Sequence, residues 1–153
     1  MNRPKAITLA LVAATAAAGL AGGCRRQPAP PQVVINGKTW SVELAISFQE
    51  QYRGLAGRQH LPDGAGMLFF FRQPAVQVFC MRGCVIPLDI AFIDADRKVV
   101  RTYTMAVETD LAGSAPYGSQ VPVKYALEVA AGALSAAGVK PGDTVTLLGD
   151  IPG

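Results

Sequence analysis

Val121, Val123, Tyr125, Leu127 and Val129 fall on every second position of one nine-residue stretch. A period of two puts all five side chains on one face of an extended strand. The same grammar returns along the chain in short pieces. Trp40, Val42, Leu44 and Ile46 alternate with Ser41, Glu43 and Ala45. Residues 67–71, MLFFF, form a fully apolar run, and VQVFCM (76–81) alternates again. LDIAFID and VVRTYTM read as two strands joined by the polar turn DADRK, and TVTLLG supplies a last strand. Asn36-Gly37 has the residue types that accept the two positive φ angles of a type I′ hairpin turn. Only two stretches change period. In the first, Ser47 and Glu50 have capping-box spacing. Phe48, Tyr52 and Leu55 then share one helical face, which predicts a short helix over 48–56 with Gly57 just past its end. In the second, AGALSAAG predicts two helical turns ending at Gly138. About eight short strands with two short helices imply a β-rich α+β fold: a small, mostly antiparallel sheet or a partly open barrel. The segment AVETDLAGSAPYGSQVP is long and irregular, as functional or mobile loops often are.

The pattern occupies residues 33–150, and what precedes it is different in kind. Arg3 and Lys5 introduce sixteen apolar or small residues, AITLALVAATAAAGLA, followed by Gly-Gly-Cys. A basic start, a short apolar stretch and a small-residue cleavage site describe a secretory signal. The stretch is too short and too rich in alanine to read as a span. Its end, Leu20-Ala21-Gly22-Gly23-Cys24, resembles the bacterial lipoprotein signal, with Ala21 where leucine is more usual. The resemblance implies residues 1–23 as signal peptide, cleavage before Cys24, and lipid on Cys24 as a membrane anchor. It also implies a cell-envelope protein facing the periplasm. Arg25 follows the cysteine instead of an inner-membrane-type aspartate, which favours the outer membrane. RRQPAPPQ (25–32) has three prolines in eight residues and reads as a stiff tether. At polyproline spacing it reaches about 25 Å. Removing Arg3 and Lys5 from the fourteen basic residues leaves twelve against eleven acidic ones. That near-neutral balance, with no basic stripe among aromatics, argues against nucleic acid as a partner.

Four segments in order are similar to one family. YRGLAGRQHLPDGAGMLFFF (52–71) resembles its Gly-Leu-Met-x-Arg and Gly-Met-Leu-Phe-x-Phe motifs. FCMRGCVIPLDIAFID (79–94) resembles its Phe-Trp-Met-Lys-Asn-Thr-x-Ile-Pro-Leu-Asp segment. YALEVAAG (125–132) resembles Leu-Glu-x-x-Ala-Gly, and VKPGDTV its closing Gly-Asp turn. The family is the domain of unknown function numbered 192, DUF192. The resemblance implies a small β-rich domain over nearly the whole of 33–150 and carries no established activity. Cys80 stands where the family usually has tryptophan, Gly83-Cys84 where it usually has Asn-Thr, and Ala56 replaces a common methionine.

Four groups of residues invite a functional reading. On one extended strand, Cys80 and Cys84 would lie about 13 Å apart at Cα, beyond the ~7 Å reach of a disulfide. A tight turn at Met81-Arg82-Gly83, with positive φ at Gly83, would bring them together. A bridge, two structural thiols, and redox or metal chemistry then all remain open. Cys80, Met81, Cys84, Met67 and Met105 are soft sulfur ligands of the kind that suit Cu(I), and His60 could join them; no cofactor is expected, and copper is the alternative these residues raise. Asp89 sits between Leu88 and Ile90, and a carboxylate in an apolar run needs a partner, for which Arg58 is the candidate. Glu128 lies on the opposite side of its strand from Leu127 and Val129, so it is either solvated or a site residue. The expected pocket combines Arg58, Asp89 and Glu128 with an apolar wall of Met67, Phe69 and Met81, the usual make-up of a ligand site. With one histidine in the chain and no catalytic motif, a binding or accessory module is expected rather than an enzyme. Its partners would be the membrane, through the anchor, and a small ligand or an envelope protein. Thiol-redox or copper handling at Cys80 and Cys84 is the alternative.

Overall fold

The computed structural model describes residues 29–153. Cys24, the signal segment and the start of the tether lie outside them. Nine strands and two short helices follow in the order β1 (Gln32–Ile35), β2 (Lys38–Ala45), α1 (Phe48–Arg53), β3 (Ala65–Ala75), β4 (Val78–Phe79), β5 (Leu88–Ile93), β6 (Val99–Met105), β7 (Tyr117–Gly118), β8 (Val123–Ala130), α2 (Ala133–Ala136) and β9 (Val145–Leu148). Seven strands form one sheet, ordered β6-β5-β8-β3-β2-β1-β9, and β4 pairs with β7 as a small second sheet. All pairings are antiparallel except β2 with β3. That parallel step requires a crossover, and α1 with the loop after it provides one. The large sheet curls into a half-barrel. Its two edges meet at one end, where Lys98 bridges Thr144 and Val99 N–H donates to the Asp143 carbonyl at 2.9 Å. The expected β-rich α+β class and partly open barrel are therefore both present.

Each turn has a chemical cause. Asn36 and Gly37 take φ of 50° and 80° at the β1–β2 hairpin. The Ser47–Glu50 capping box forms in full: Glu50 N–H donates to Ser47 Oγ, and Ser47 N–H donates to Glu50 Oε2 at 2.8 Å. The helix stops earlier than its pattern predicts, because Gly54 takes positive φ and caps it, whereas 48–56 was expected. The helix α1 buries no residue of its own. It is held instead by the Gln51 side-chain amide, which donates to the Phe70 carbonyl at 2.7 Å and the Ala45 carbonyl at 3.3 Å. The strand β3 runs on through Arg72-Gln73-Pro74-Ala75, past the apolar run, with a register shift between Phe70 and Ala75. The irregular segment after Met105 contributes β7.

Both faces of the curled sheet are covered. The inner core holds Trp40, Phe70, Tyr125, Leu127, Val129 and, from α2, Leu134. The outer core holds Leu55, Met67, Phe69, Met81, Cys84, Ile90, Phe92 and Met105. Its cover comes from the loop after α1 and the segments around β4 and β7. Strand β5 is buried at all six positions for this reason. No helix among the described residues is long and apolar enough to cross a membrane.

Candidate functional site

Alternation on β8 decides which side chains meet. Leu127 and Val129 point into the inner core, so Glu128 points outward, between its register partners Met67 on β3 and Ile90 on β5. That outward face is not wet. Glu128 is 5% exposed, and burial alone pushes its carboxyl up to about 8. Neither a hydrogen bond nor a charge from the described residues offsets that burial. A buried carboxyl without a partner holds its proton, because the charged form loses its hydration and gains nothing in return.

Glu128 lines an open cleft of about 270 Å³ between α1, β3, β4 and the turn after β4. The walls are aromatic. Phe79 packs edge-on against Phe69 at 4.8 Å between centroids and against Phe92 at 5.5 Å. Gly54 leaves the floor open: a Cβ there would come within 3.5 Å of Phe69 Cζ and 3.8 Å of Glu128 Oε2. At the mouth, Phe48 is 79% and Tyr52 60% exposed, stacked at 5.9 Å. The Arg82 guanidinium lies 3.8 Å from the Tyr52 ring centroid and donates to the Tyr52 carbonyl at 2.9 Å. Arg53 completes the rim. The glycine of Gly66-Met67-Leu68-Phe69 has a backbone reason next to this site. A Cβ on Gly66 would stand 2.7 Å from the Glu128 carbonyl oxygen, so only glycine lets β3 approach β8 this closely.

The turn after β4 is the one the Cys80–Cys84 spacing allowed. Cys84 N–H donates to the Met81 carbonyl at 3.0 Å, and Gly83 has φ of 67°. The bridge that this turn would permit is not formed. Cys80 is exposed and Cys84 is buried, and both are free thiols. Both touch the cleft, but Cys84 is also packed into the outer core while Cys80 stays at the exposed wall. Burial first, then the neighbouring Glu128 and Cys80, push the Cys84 thiol up to about 11.

Asp89 and Arg58 are elsewhere. Asp89 pairs in register with Val129, so it points to the inner side, opposite Glu128. It is 1% exposed, and each of its two oxygens accepts one hydrogen bond. Thr104 Oγ1 donates to Oδ1 at 2.7 Å, and Leu134 N–H donates to Oδ2 at 3.0 Å. It thus satisfies a first-turn amide of α2, whose own N-cap is Gly132 and has no side chain to do so. The expected Asp89–Arg58 pair does not exist, because Arg58 forms an exposed ion pair with Glu43. Of the expected pocket, Phe69 and Glu128 line the cleft, joined by Cys80 and Cys84. Met67 and Met81 lie behind it in the outer core, with Met105, and His60 is exposed in the loop after α1. Among the described residues no group of three or more His, Cys, Asp or Glu is placed to hold a metal ion.

Sequence reasoning passed over Phe48, Tyr52, Phe71, Phe79, Arg53 and Arg82 as site residues. One signal was present: Phe48, Tyr52 and Leu55 form a helical stripe, but only Leu55 has a core to enter.

The match to known proteins is decided by a family profile that covers residues 32–147, that of DUF192, described as an uncharacterized ACR. The chain belongs to the DUF192 family. No curated protein matches it. Two solved structures resemble this DUF192 protein over most of their length. One, from Sinorhizobium meliloti 1021, is named provisionally as a transcription regulator. It is 31% identical, with 78% of this chain and 95% of that one covered and a TM-score of 0.70. The other is a protein of unknown function from Novosphingobium aromaticivorans DSM 12444. It is 35% identical, with 88% and 94% covered and a TM-score of 0.69.

Proposed function

We propose that this DUF192 protein is a small-ligand-binding module held at the bacterial cell envelope. One observation carries the binding claim: Glu128, a buried carboxyl with no partner among the described residues, lies at the floor of an open aromatic cleft. Unpaired buried acids lower stability, and perturbed ionisable groups in clefts gather at functional sites. A ligand whose body stacks on Phe69 and Phe79 and whose polar group meets Glu128 would offset that cost. The envelope location rests on the signal-like segment ending at Cys24, with lipid on that cysteine and the proline-rich tether holding the domain near the membrane, the outer one by the residue that follows. The buried Cys84 thiol, pushed up to about 11, supplies almost no thiolate at neutral pH, which weighs against thiol-redox chemistry at Cys84.

The test is to fill the cleft. Val78 lines it and is exposed, so Val78→Trp adds an indole at the wall from the solvent side. Small molecules retained by the wild-type protein from an envelope extract and identified by mass spectrometry should be lost from V78W, with the unfolding midpoint unchanged. Identical retention by a folded V78W would refute the site.

A further inference from the structure

The cleft is electrically lopsided along its depth. Its mouth carries two guanidiniums, Arg53 and Arg82, both exposed, and no acidic side chain among the described residues. Its floor carries one acid, Glu128, nearly sealed from water. Neither arginine offsets the effect of burial on that carboxyl. Phe69, Phe71 and Phe79 line the same cleft. A ligand that entered with a cation first would pass two like charges at the mouth. A ligand with an anionic outer end meets them favourably, and arginine is suited to planar oxyanions.

Resting on the ligand-binding reading above, we propose that the cleft takes a small apolar or aromatic acid, its anionic group at Arg53 and Arg82 and an uncharged hydrogen-bond acceptor at its inner end, where the Glu128 carboxyl donates. The alternative at the floor is an ionised Glu128 holding a ligand cation. The two differ in what pH does. A donor carboxyl works below its own ionisation and is lost above about 8. A cation-holding carboxylate strengthens as pH rises toward that value. The ionisable side chains that share the cleft with Glu128 are Arg53, Arg82 and the Cys80 and Cys84 thiols, and repeating the titration on Cys80→Ser removes the exposed thiol from the comparison. Met67 and Ile90 flank it in register, the Gly54 backbone lies opposite, and the Cys84 thiol ionises only near 11.

Three matched probes separate the cases, titrated by NMR into the full-length protein between pH 6 and 9.5. They are 4-acetylbenzoate, 4-isopropylbenzoate and 4-(aminomethyl)benzoate. All share the ring and the outer carboxylate, and they differ only at the inner end. The expected result is that 4-acetylbenzoate binds at least tenfold tighter than the isopropyl compound at pH 7. Above pH 8 its affinity falls about tenfold per pH unit. Glu128→Gln, which keeps a neutral donor, retains most of the affinity and removes the pH dependence, and Arg53→Gln weakens all three probes. Tightest binding by 4-(aminomethyl)benzoate, rising with pH toward 8 and abolished in E128Q, would overturn the proposal while leaving a ligand site. Equal affinity of the acetyl and isopropyl compounds would overturn it too. No shift at any cleft residue with any probe would overturn the ligand-binding reading itself.

Discussion

Replacing Glu128 by glutamine isolates the energetic cost of a buried, unpartnered acid. In the unfolded chain this carboxyl ionises near 4.5, and in the folded protein burial moves that to about 8. Below pH 4.5 both states hold the proton, and the group costs nothing electrostatically. As pH rises the unfolded state releases its proton while the folded state keeps it, so the wild-type protein loses stability through this window. One pH unit corresponds to about 1.4 kcal/mol, so the loss is about 3 kcal/mol by pH 7 and levels off at about 5 kcal/mol above pH 8. Glutamine is nearly isosteric and never ionises. Urea unfolding of both proteins at each pH from 4.5 to 9.5 gives the difference directly, and titrations common to both cancel. The stability of E128Q relative to wild type should climb by about 1.4 kcal/mol per pH unit between 5 and 8 and then stay flat. Parallel curves across that window would refute the claim that Glu128 is buried without a partner.

Asp89 should behave as a structural acid. Asp89→Ala leaves the Thr104 hydroxyl and the Leu134 N–H without their acceptor, at about 1–3 kcal/mol for each. Denaturant unfolding should show that loss, while probe binding in the cleft stays unchanged because Asp89 faces the other side of the sheet. Arg58→Ala removes only an exposed pair with Glu43, and the same assay should register less than about 1 kcal/mol. A thiol reagent at pH 8 should label Cys80 at the rate of an exposed thiol and leave Cys84 unlabelled until the protein is unfolded. Cys24→Ser should abolish incorporation of labelled fatty acid and remove the mature protein from the membrane fraction, as judged by fractionation of cells.

The strands were legible because half-buried strands write a period of two. The expected segments around 40–46, 67–71, 88–94, 99–105 and 121–129 all contain strands of the large sheet. What the period could not show is that both faces of that sheet are covered. Glu128 looked equally suited to solvent, because it alternates with Leu127 and Val129. The outer core that buries it is built from loops and short elements, Leu55, Leu61, Met81 and Cys84 among them, which have no shared period. The same blindness joined Asp89 to Arg58. Both stand in family-like motifs, but only the pairing of Asp89 with Val129 tells that Asp89 and Glu128 point to opposite faces. The apolar stripe of α1 was visible, and its meaning was not. A stripe without a core to enter reads in sequence like one that has a core, and the difference is the cleft mouth.

The central claim is that Glu128 holds its proton at the floor of a ligand cleft. The most direct measurement is the titration of its carboxyl carbon by 13C NMR in the full-length protein, alone and with saturating 4-acetylbenzoate. The account predicts a single midpoint near 8 for the free protein, displaced upward when the probe accepts the proton's hydrogen bond. A midpoint near 4.5, unmoved by the probe, would contradict it.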